Sequence, residues 1–220
     1  MSLPEPYFWG PAPIQADCAE AARHLMAVDP ALARIIERVG PPTLSEPDPI
    51  APAHYLQRAI VGQQLSGKAA ATIYGRFIDL FGGRKPSPRQ VLEIEPAKLR
   101  GAGLSGAKTA AIIDLAQHTR AGRIPSRAAL YQLSADAIIE RVTRVRGIGR
   151  WTAEMLLMFY LGHADTLPLG DLGIRNGYAR VYRKRAAPSE SSLDRYGRRW
   201  RPYRSVACWY LWRALELPPE

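Results

Sequence analysis

Cysteine is scarce in this chain. Cys18 and Cys208 are the only two among 220 residues and stand far apart, which excludes a disulfide framework and a four-cysteine metal site and fits a reducing, intracellular compartment. Long apolar runs are missing too: no stretch approaches the ~20 residues needed to cross a bilayer. The proline-rich start from Met1 to Pro13 has neither the basic beginning nor the apolar centre of a signal peptide. A soluble, cytoplasmic protein is expected. Histidine is sparse, and His24, His54, His118 and His163 show no ligand spacing, so a catalytic metal is not expected. Alternating strand patterns are also scarce, which leaves an all-α fold.

What is present is ordinary in bulk and uneven in charge. Hydrophobic residues at 47% and charged residues at 23% describe a chain that packs a core. Its length allows one sizeable domain or two small lobes sharing a core, and the second is expected. The net charge is +10, and the segment from Arg175 to Arg213 holds eleven Lys/Arg against only Glu190 and Asp194, a balance of +9. So concentrated a positive field favours a polyanion, of which nucleic acid is the commonest; a merely solvated basic surface is the plainer reading.

Helical spacing organises most of the chain. Ile14 to Val39 reads as two helices broken at Asp29-Pro30, and Gly40 to Pro49 as a linker. Further helices are expected over Pro52 to Val61, Gly67 to Phe81, a short stretch opened by Pro86 to Pro88, and Gly106 to Thr119. Another starts at an N-cap, Ser134, and runs to Val142. Two more cover Leu172 to Arg185 and Pro202 to Leu217, joined by a polar Pro188 to Ser192 stretch.

Two near-motifs fail on inspection. Gly62-Gln63-Gln64-Leu65-Ser66-Gly67-Lys68-Ala69 approximates the phosphate-binding loop G-x-x-x-x-G-K-[ST], but alanine replaces the magnesium-binding hydroxyl and helix precedes it where a strand is required. Gly101-Ala102-Gly103-Leu104-Ser105-Gly106 satisfies G-x-G-x-x-G without a preceding strand or the following acid. Both read as helix-to-helix turns.

The stretch from Val145 to Asp171 carries the chemistry. Gly147 and Gly149 stand just before an amphipathic run expected to be helical from about Trp151 to Leu161, so the backbone can turn sharply and enter a helix with its amides outward. Those donors, the helix dipole and the flanking arginines suit a phosphate. Asp171 then stands at the threshold of the next helix, as an N-cap or as a working carboxylate; the two roles are compatible.

Val145-Arg146-Gly147-Ile148-Gly149-Arg150-Trp151-Thr152-Ala153 resembles the hairpin of the helix-hairpin-helix DNA glycosylase superfamily, with Asp171 at the place of its aspartate. Ile60-Val61-Gly62-Gln63-Gln64-Leu65-Ser66, Gly103-Leu104-Ser105 with Lys108, Gly170-Asp171-Leu172-Gly173-Ile174 and Trp200-Arg201-Pro202-Tyr203-Arg204-Ser205 follow the order of its 3-methyladenine DNA glycosylase II branch. The resemblance runs from about residue 50 to the C-terminus. It implies a short form, without the N-terminal sheet domain of longer members. The implied fold has two helical lobes, one of residues 1–60 plus 172–220 and one of residues 61–171, with the helix-hairpin-helix at 138–161 and a DNA-binding cleft between the lobes.

The activity implied is hydrolysis of the N-glycosidic bond of alkylated bases in double-stranded DNA, such as 3-methyladenine or 7-methylguanine, after base flipping, as a step of base excision repair. Asp171 would be catalytic, with Trp151, Trp200, Met155 and Tyr203 forming the base pocket. DNA would be held by Gln63, Gln64, Leu65, Ser66, Gly147, Ile148, Gly149, Arg150 and Thr152, with Leu65 or Gln64 filling the hole left in the duplex. Strand-cleaving members carry lysine where this chain has Trp151, so no Schiff-base nucleophile is expected and the enzyme would be monofunctional. Endonuclease III-like members hold an iron–sulfur cluster, which two cysteines cannot bind. No cofactor is implied beyond a structural Na⁺ or K⁺ on the hairpin carbonyls of Arg144, Arg146 and Ile148. The working unit would be a monomer at the nucleoid, with no membrane partner. A non-catalytic damage-binding protein is the alternative, and release of free base decides between them.

Overall fold

A computed structural model describes residues 17–42 and 50–218. The proline-rich start, the Ile14 beginning of the first expected helix and most of the Gly40 to Pro49 linker lie outside them. Among the described residues every regular element is helical. No described helix is long and apolar enough to cross a membrane.

Local capping chemistry sets the starts. Ser66, Ser87, Ser105, Ser126, Ser134 and Ser189 each accept a hydrogen bond from the amide three residues on, opening α4 (Gly67–Asp79), α5 (Pro88–Glu93), α7 (Gly106–Arg120), α8 (Arg127–Leu130), α9 (Ala135–Val142) and α12 (Glu190–Gly197). Aspartate does the same at Asp17 for α1 (Cys18–Val28), Asp29 for α2 (Pro30–Val39) and Asp171 for α11 (Leu172–Val181). Each such cap is worth about 1 kcal/mol. α3 (Pro52–Gly62) and α6 (Pro96–Gly101) begin on proline, whose fixed φ suits a first turn. α10 (Arg150–Met155) continues as a wider π-helical turn over Leu156–Tyr160, where one uniform helix to Leu161 was expected. A 3-10 turn at Arg198–Trp200 precedes α13 (Arg204–Ala214).

The chain divides into two units. The first takes residues 50–156 and so contains α3 to α10; α3 is buried on most sides, through Tyr55, Leu56, Ala59, Ile60 and Val61, and packs on α4 and α7. The second takes residues 17–42 and 157–218, with α13 packed against α2 and α11. The divisions thus differ from those expected near residues 60 and 171. α3 goes with the helices it packs on. The 163–166 segment goes with α13, because Ser205 Oγ donates to the His163 carbonyl (2.6 Å) and accepts from Thr166 N (2.9 Å).

Candidate active site and nucleic-acid interface

In the first unit the hairpin after α9 is closed by its own backbone. Ile148 N donates to the Val145 carbonyl (3.1 Å), and Arg146 N donates to Asp114 Oδ2 on α7 (2.7 Å). Gly147 has φ +77°, which favours glycine, and a Cβ there would press on Ala111 Cβ of α7 at 3.1 Å. Gly149 caps α10 without a side chain, and the first helical bond runs from Ala153 N to the Gly149 carbonyl at 3.1 Å. Amides ahead of that bond have no acceptor within the helix. Gly147, Gly149 and Arg150 are exposed, and Arg150 Nε pairs with the buried Glu154 at 2.9 Å.

Of the expected DNA contacts, two present no side chain at the surface. Ile148 has committed its amide to the turn and buried its side chain. The Thr152 side chain is buried, which leaves its backbone amide, ahead of the first helical bond, as the group that could meet a phosphate. The hairpin's hydrogen bonds use the carbonyls of Val145 and Gly147, which alternate with those of Arg144, Arg146 and Ile148.

The segment Gln63 to Ser66 is tied to this hairpin. Gln63 Nε2 donates to the Gly147 carbonyl (2.8 Å), and Lys108 Nζ donates to the carbonyls of Val61 and Gln63, both at 2.8 Å. Partial burial pushes the Lys108 ammonium below the usual lysine range. Leu65 N returns to the Gly62 carbonyl, Leu65 is half-buried, and Ser66 caps α4. Gln64 is exposed and sits at φ +58°, in the left-handed region. It is the tip of the loop.

In the second unit Asp171 is buried at 7% exposure. Its Oδ1 accepts from Ile174 N at 2.7 Å, the α11 cap, and from Trp212 Nε1 at 3.1 Å. Trp212 lies on α13 and stacks on Phe159, ring centroids 5.6 Å apart. Two glycines on α11 permit this approach: a Cβ at Gly177 would stand 2.2 Å from the Leu211 carbonyl oxygen, and one at Gly173 would stand 2.9 Å from Trp212 Nε1. The start of α13 also fixes the segment leading to Asp171. Arg204 grips Asp165 through Nε to Oδ1 (2.6 Å) and Nη2 to Oδ2 (2.9 Å). His163 Nδ1 lies 2.8 Å from Thr166 Oγ1, and burial holds its imidazole below the usual range.

The four expected base-pocket residues part company. Trp200 is corrected: it has 0% exposure, and its indole N–H donates to the buried Asp29 Oδ2 at 2.8 Å beside the Tyr182 hydroxyl at 2.6 Å, so no ring face is open to a base. Met155 is corrected as well, being buried at 1% exposure with its carbonyl accepting from Tyr55 OH. Tyr203 is half-buried, its hydroxyl donating to Glu20 at 2.9 Å. Trp151 is half-buried at the second position of α10. Trp212 was missed from sequence. The four-residue spacing of Gly173 and Gly177, which marks the face of α11 that another helix approaches closely, was the available signal.

The basic segment is only partly a free surface. Arg175 Nε donates to the Pro188 carbonyl, Arg180 to the Leu215 and Leu217 carbonyls, Arg204 is spent on Asp165 and Arg213 on Glu216. A cavity of about 750 Å³ in this unit is lined by Arg34, Arg38, Arg180 and Arg183 over Ile35 and Val181, and neither Asp171 nor Trp212 lines it.

An all-helical chain with a two-glycine hairpin opening one helix, and a carboxylate capping a later one, has the parts of a base-excision repair fold. Residues 57–202 match the model of the HhH-GPD superfamily base excision DNA repair proteins, and the chain belongs to that superfamily. It is 35% identical to DNA-3-methyladenine glycosylase 1 of Schizosaccharomyces pombe, over 93% of this chain and 90% of that one. The solved structure of the 3-methyladenine DNA glycosylase of that yeast with abasic DNA superimposes with TM-score 0.82 at 34% identity, covering 90% of this chain and 97% of the other. A DNA-3-methyladenine glycosidase from Bacillus halodurans gives TM-score 0.78 at 38% identity, covering 88% of each chain.

Proposed function

We propose that this protein is a monofunctional DNA glycosylase that hydrolyses the N-glycosidic bond of alkylated bases such as 3-methyladenine and 7-methylguanine in double-stranded DNA. The carrying observation is the Asp171 carboxylate, buried and oriented by Ile174 N and Trp212 Nε1 in a chain that also holds the glycine hairpin. Methylation makes the purine cationic and a good leaving group, so no general acid is needed for its departure. The protein's task is to expose the nucleotide, hold it, and stabilise the cation that develops on the sugar.

The first unit supplies the DNA grip. Gly147, Gly149 and Arg150 hold a backbone phosphate, and the hairpin carbonyls of Arg144, Arg146 and Ile148 fit a monovalent cation that would stiffen the turn. Gln64, exposed and left-handed, fills the stack better than the half-buried Leu65. Trp151 offers an aromatic face, worth about 0.5–2 kcal/mol for a cationic base. Having no amine, it forms no Schiff base.

The second unit supplies the carboxylate. As the glycosidic bond breaks, its electron pair leaves with the base, and Asp171 stabilises the positive sugar. It then takes a proton from the water that attacks the sugar carbon. Free base and an abasic site are the products. The working unit is a monomer acting on the nucleoid.

The buried capping bond of Asp171 alone would also suit a second reading, a damage-binding protein without chemistry. Purified protein with methylated duplex DNA decides: free methylpurine without strand cleavage or borohydride-trapped adduct is the expected result. Binding without release of base overturns the enzyme reading.

A further inference from the structure

Lysine is an unexpected choice at position 108. It occupies the first turn of α7, where the Ser105 hydroxyl accepts its backbone N–H at 3.2 Å, and a cation there opposes the dipole of its own helix. Its ammonium instead reaches the end of another helix. Nζ donates to the carbonyls of Val61, in the last turn of α3, and of Gln63, just beyond it, each at 2.8 Å. At that end the helix dipole and unpaired carbonyls favour a positive charge. The contact is half-buried, which costs the ammonium hydration and lowers its pKa.

What the contact holds gives it meaning. Gln63 is fixed at both ends, its carbonyl by Lys108 and its side-chain amide by the Gly147 carbonyl of the hairpin at 2.8 Å. Leu65 N is fixed to the Gly62 carbonyl and Ser66 to α4. Between them Gln64 is exposed and held in the left-handed conformation. A side chain that enters a base stack must arrive with its backbone already braced, because a loop that yields would return the force of the closing duplex. We infer that Lys108 is the positioning residue that braces the Gln63–Gln64 segment against the hairpin, setting how far Gln64 enters the duplex during base flipping. The inference rests on the glycosylase reading for its consequence and on the two 2.8 Å contacts for its geometry.

The test compares Lys108→Met, which keeps the aliphatic stem without donors, with Lys108→Arg, which keeps charge and donors. Single-turnover excision of 7-methylguanine is measured in a fully paired duplex and opposite an abasic site, where flipping leaves less to fill. Lys108→Met is expected to lose roughly 10- to 100-fold on the paired substrate, the scale of a displaced positioning group, and much less on the unpaired one, with Lys108→Arg close to wild type on both. Lys108→Leu, also without donors, carries the comparison should the methionine variant not fold. Equal losses on both substrates, or none, overturn the inference and leave Lys108 as a helix cap. Amide hydrogen exchange of residues 63–66 in the free protein reads the brace without any activity: faster exchange in Lys108→Met supports it, unchanged exchange removes it. Wild-type protein that frees no base from either substrate overturns the glycosylase reading itself, and the exchange measurement then judges the brace alone.

Discussion

Gly173 keeps open the space through which Trp212 reaches the catalytic candidate: a Cβ at 173 would stand 2.9 Å from Trp212 Nε1 and 3.1 Å from Asp171 Oδ1, the two atoms that share a hydrogen bond. Gly173→Ala therefore pushes the indole away from the carboxylate and breaks their buried hydrogen bond. The expected outcome is a roughly tenfold slower single-turnover base release, a modestly lowered melting temperature and unchanged DNA affinity. Trp212→Phe, which keeps the stack on Phe159 but removes the N–H donor, should lose activity to a similar degree. Wild-type rates in both variants would show that Asp171 needs no such orientation.

Asp171→Asn separates charge from capping. Asparagine caps a helix about as well as aspartate, so the bond to Ile174 N and the start of α11 should survive. Only the negative charge, which on the proposed mechanism stabilises the developing sugar cation, is lost. Base release should fall by roughly 100-fold or more, the scale of removing a preorganised electrostatic group. The variant should still bind methylated duplex and melt near the wild-type temperature. An active Asp171→Asn protein would leave the residue as a helix cap and nothing more.

Trp200 belongs to stability. Its indole N–H and the Tyr182 hydroxyl both donate to Oδ2 of Asp29, whose Oδ1 caps α2 through Leu32 N, so one buried carboxylate joins α2, α11 and the turn before α13. Burial and the Asp29 bond raise the Tyr182 hydroxyl far above the usual range, so it stays a donor throughout the physiological range. Trp200→Phe keeps most of the packing and removes one donor, costing about 1–3 kcal/mol of stability. Urea unfolding should register the loss, and the excision rate per folded molecule should not change. Altered lesion preference at wild-type stability would return Trp200 to the base pocket.

The same tryptophan shows where sequence reading reaches its limit. The serine and aspartate caps are local, because a polar side chain and an amide three residues on are neighbours in the chain. Ser134 and Asp171 are legible in this way, while the starts near Gly67 and Gly106 come from apolar spacing. α6, α8 and α12 went unread because each buries a single leucine, Leu99, Leu130 or Leu193, too little to form a period. The site split in the same way. Asp171 and the hairpin glycines are legible from neighbours, whereas Trp212 meets Asp171 from 41 positions away and Lys108 meets Gln63 from 45. Nothing local distinguishes Trp212, which touches the carboxylate, from Trp200, which is enclosed with Asp29.

Charge counts suffer from the same blindness, and salt dependence exposes it. If phosphates dominate binding, log affinity falls linearly with log salt at about −0.9 per phosphate neutralised. Arg146, exposed in the hairpin, should lower that slope by roughly one when changed to alanine. Arg204 lies inside the basic segment and contributes equally to the net charge, yet its guanidinium is paired with Asp165 at 2.6 and 2.9 Å and is largely buried. Arg204→Ala should therefore lower the melting temperature, by unpinning the segment that leads to Asp171, and leave the salt slope where it was. Binding titrations over a range of NaCl concentrations check both. Equal slope changes in the two variants would mean that Arg204 leaves Asp165 for a phosphate on binding, and a salt-insensitive wild type would remove the phosphate grip altogether.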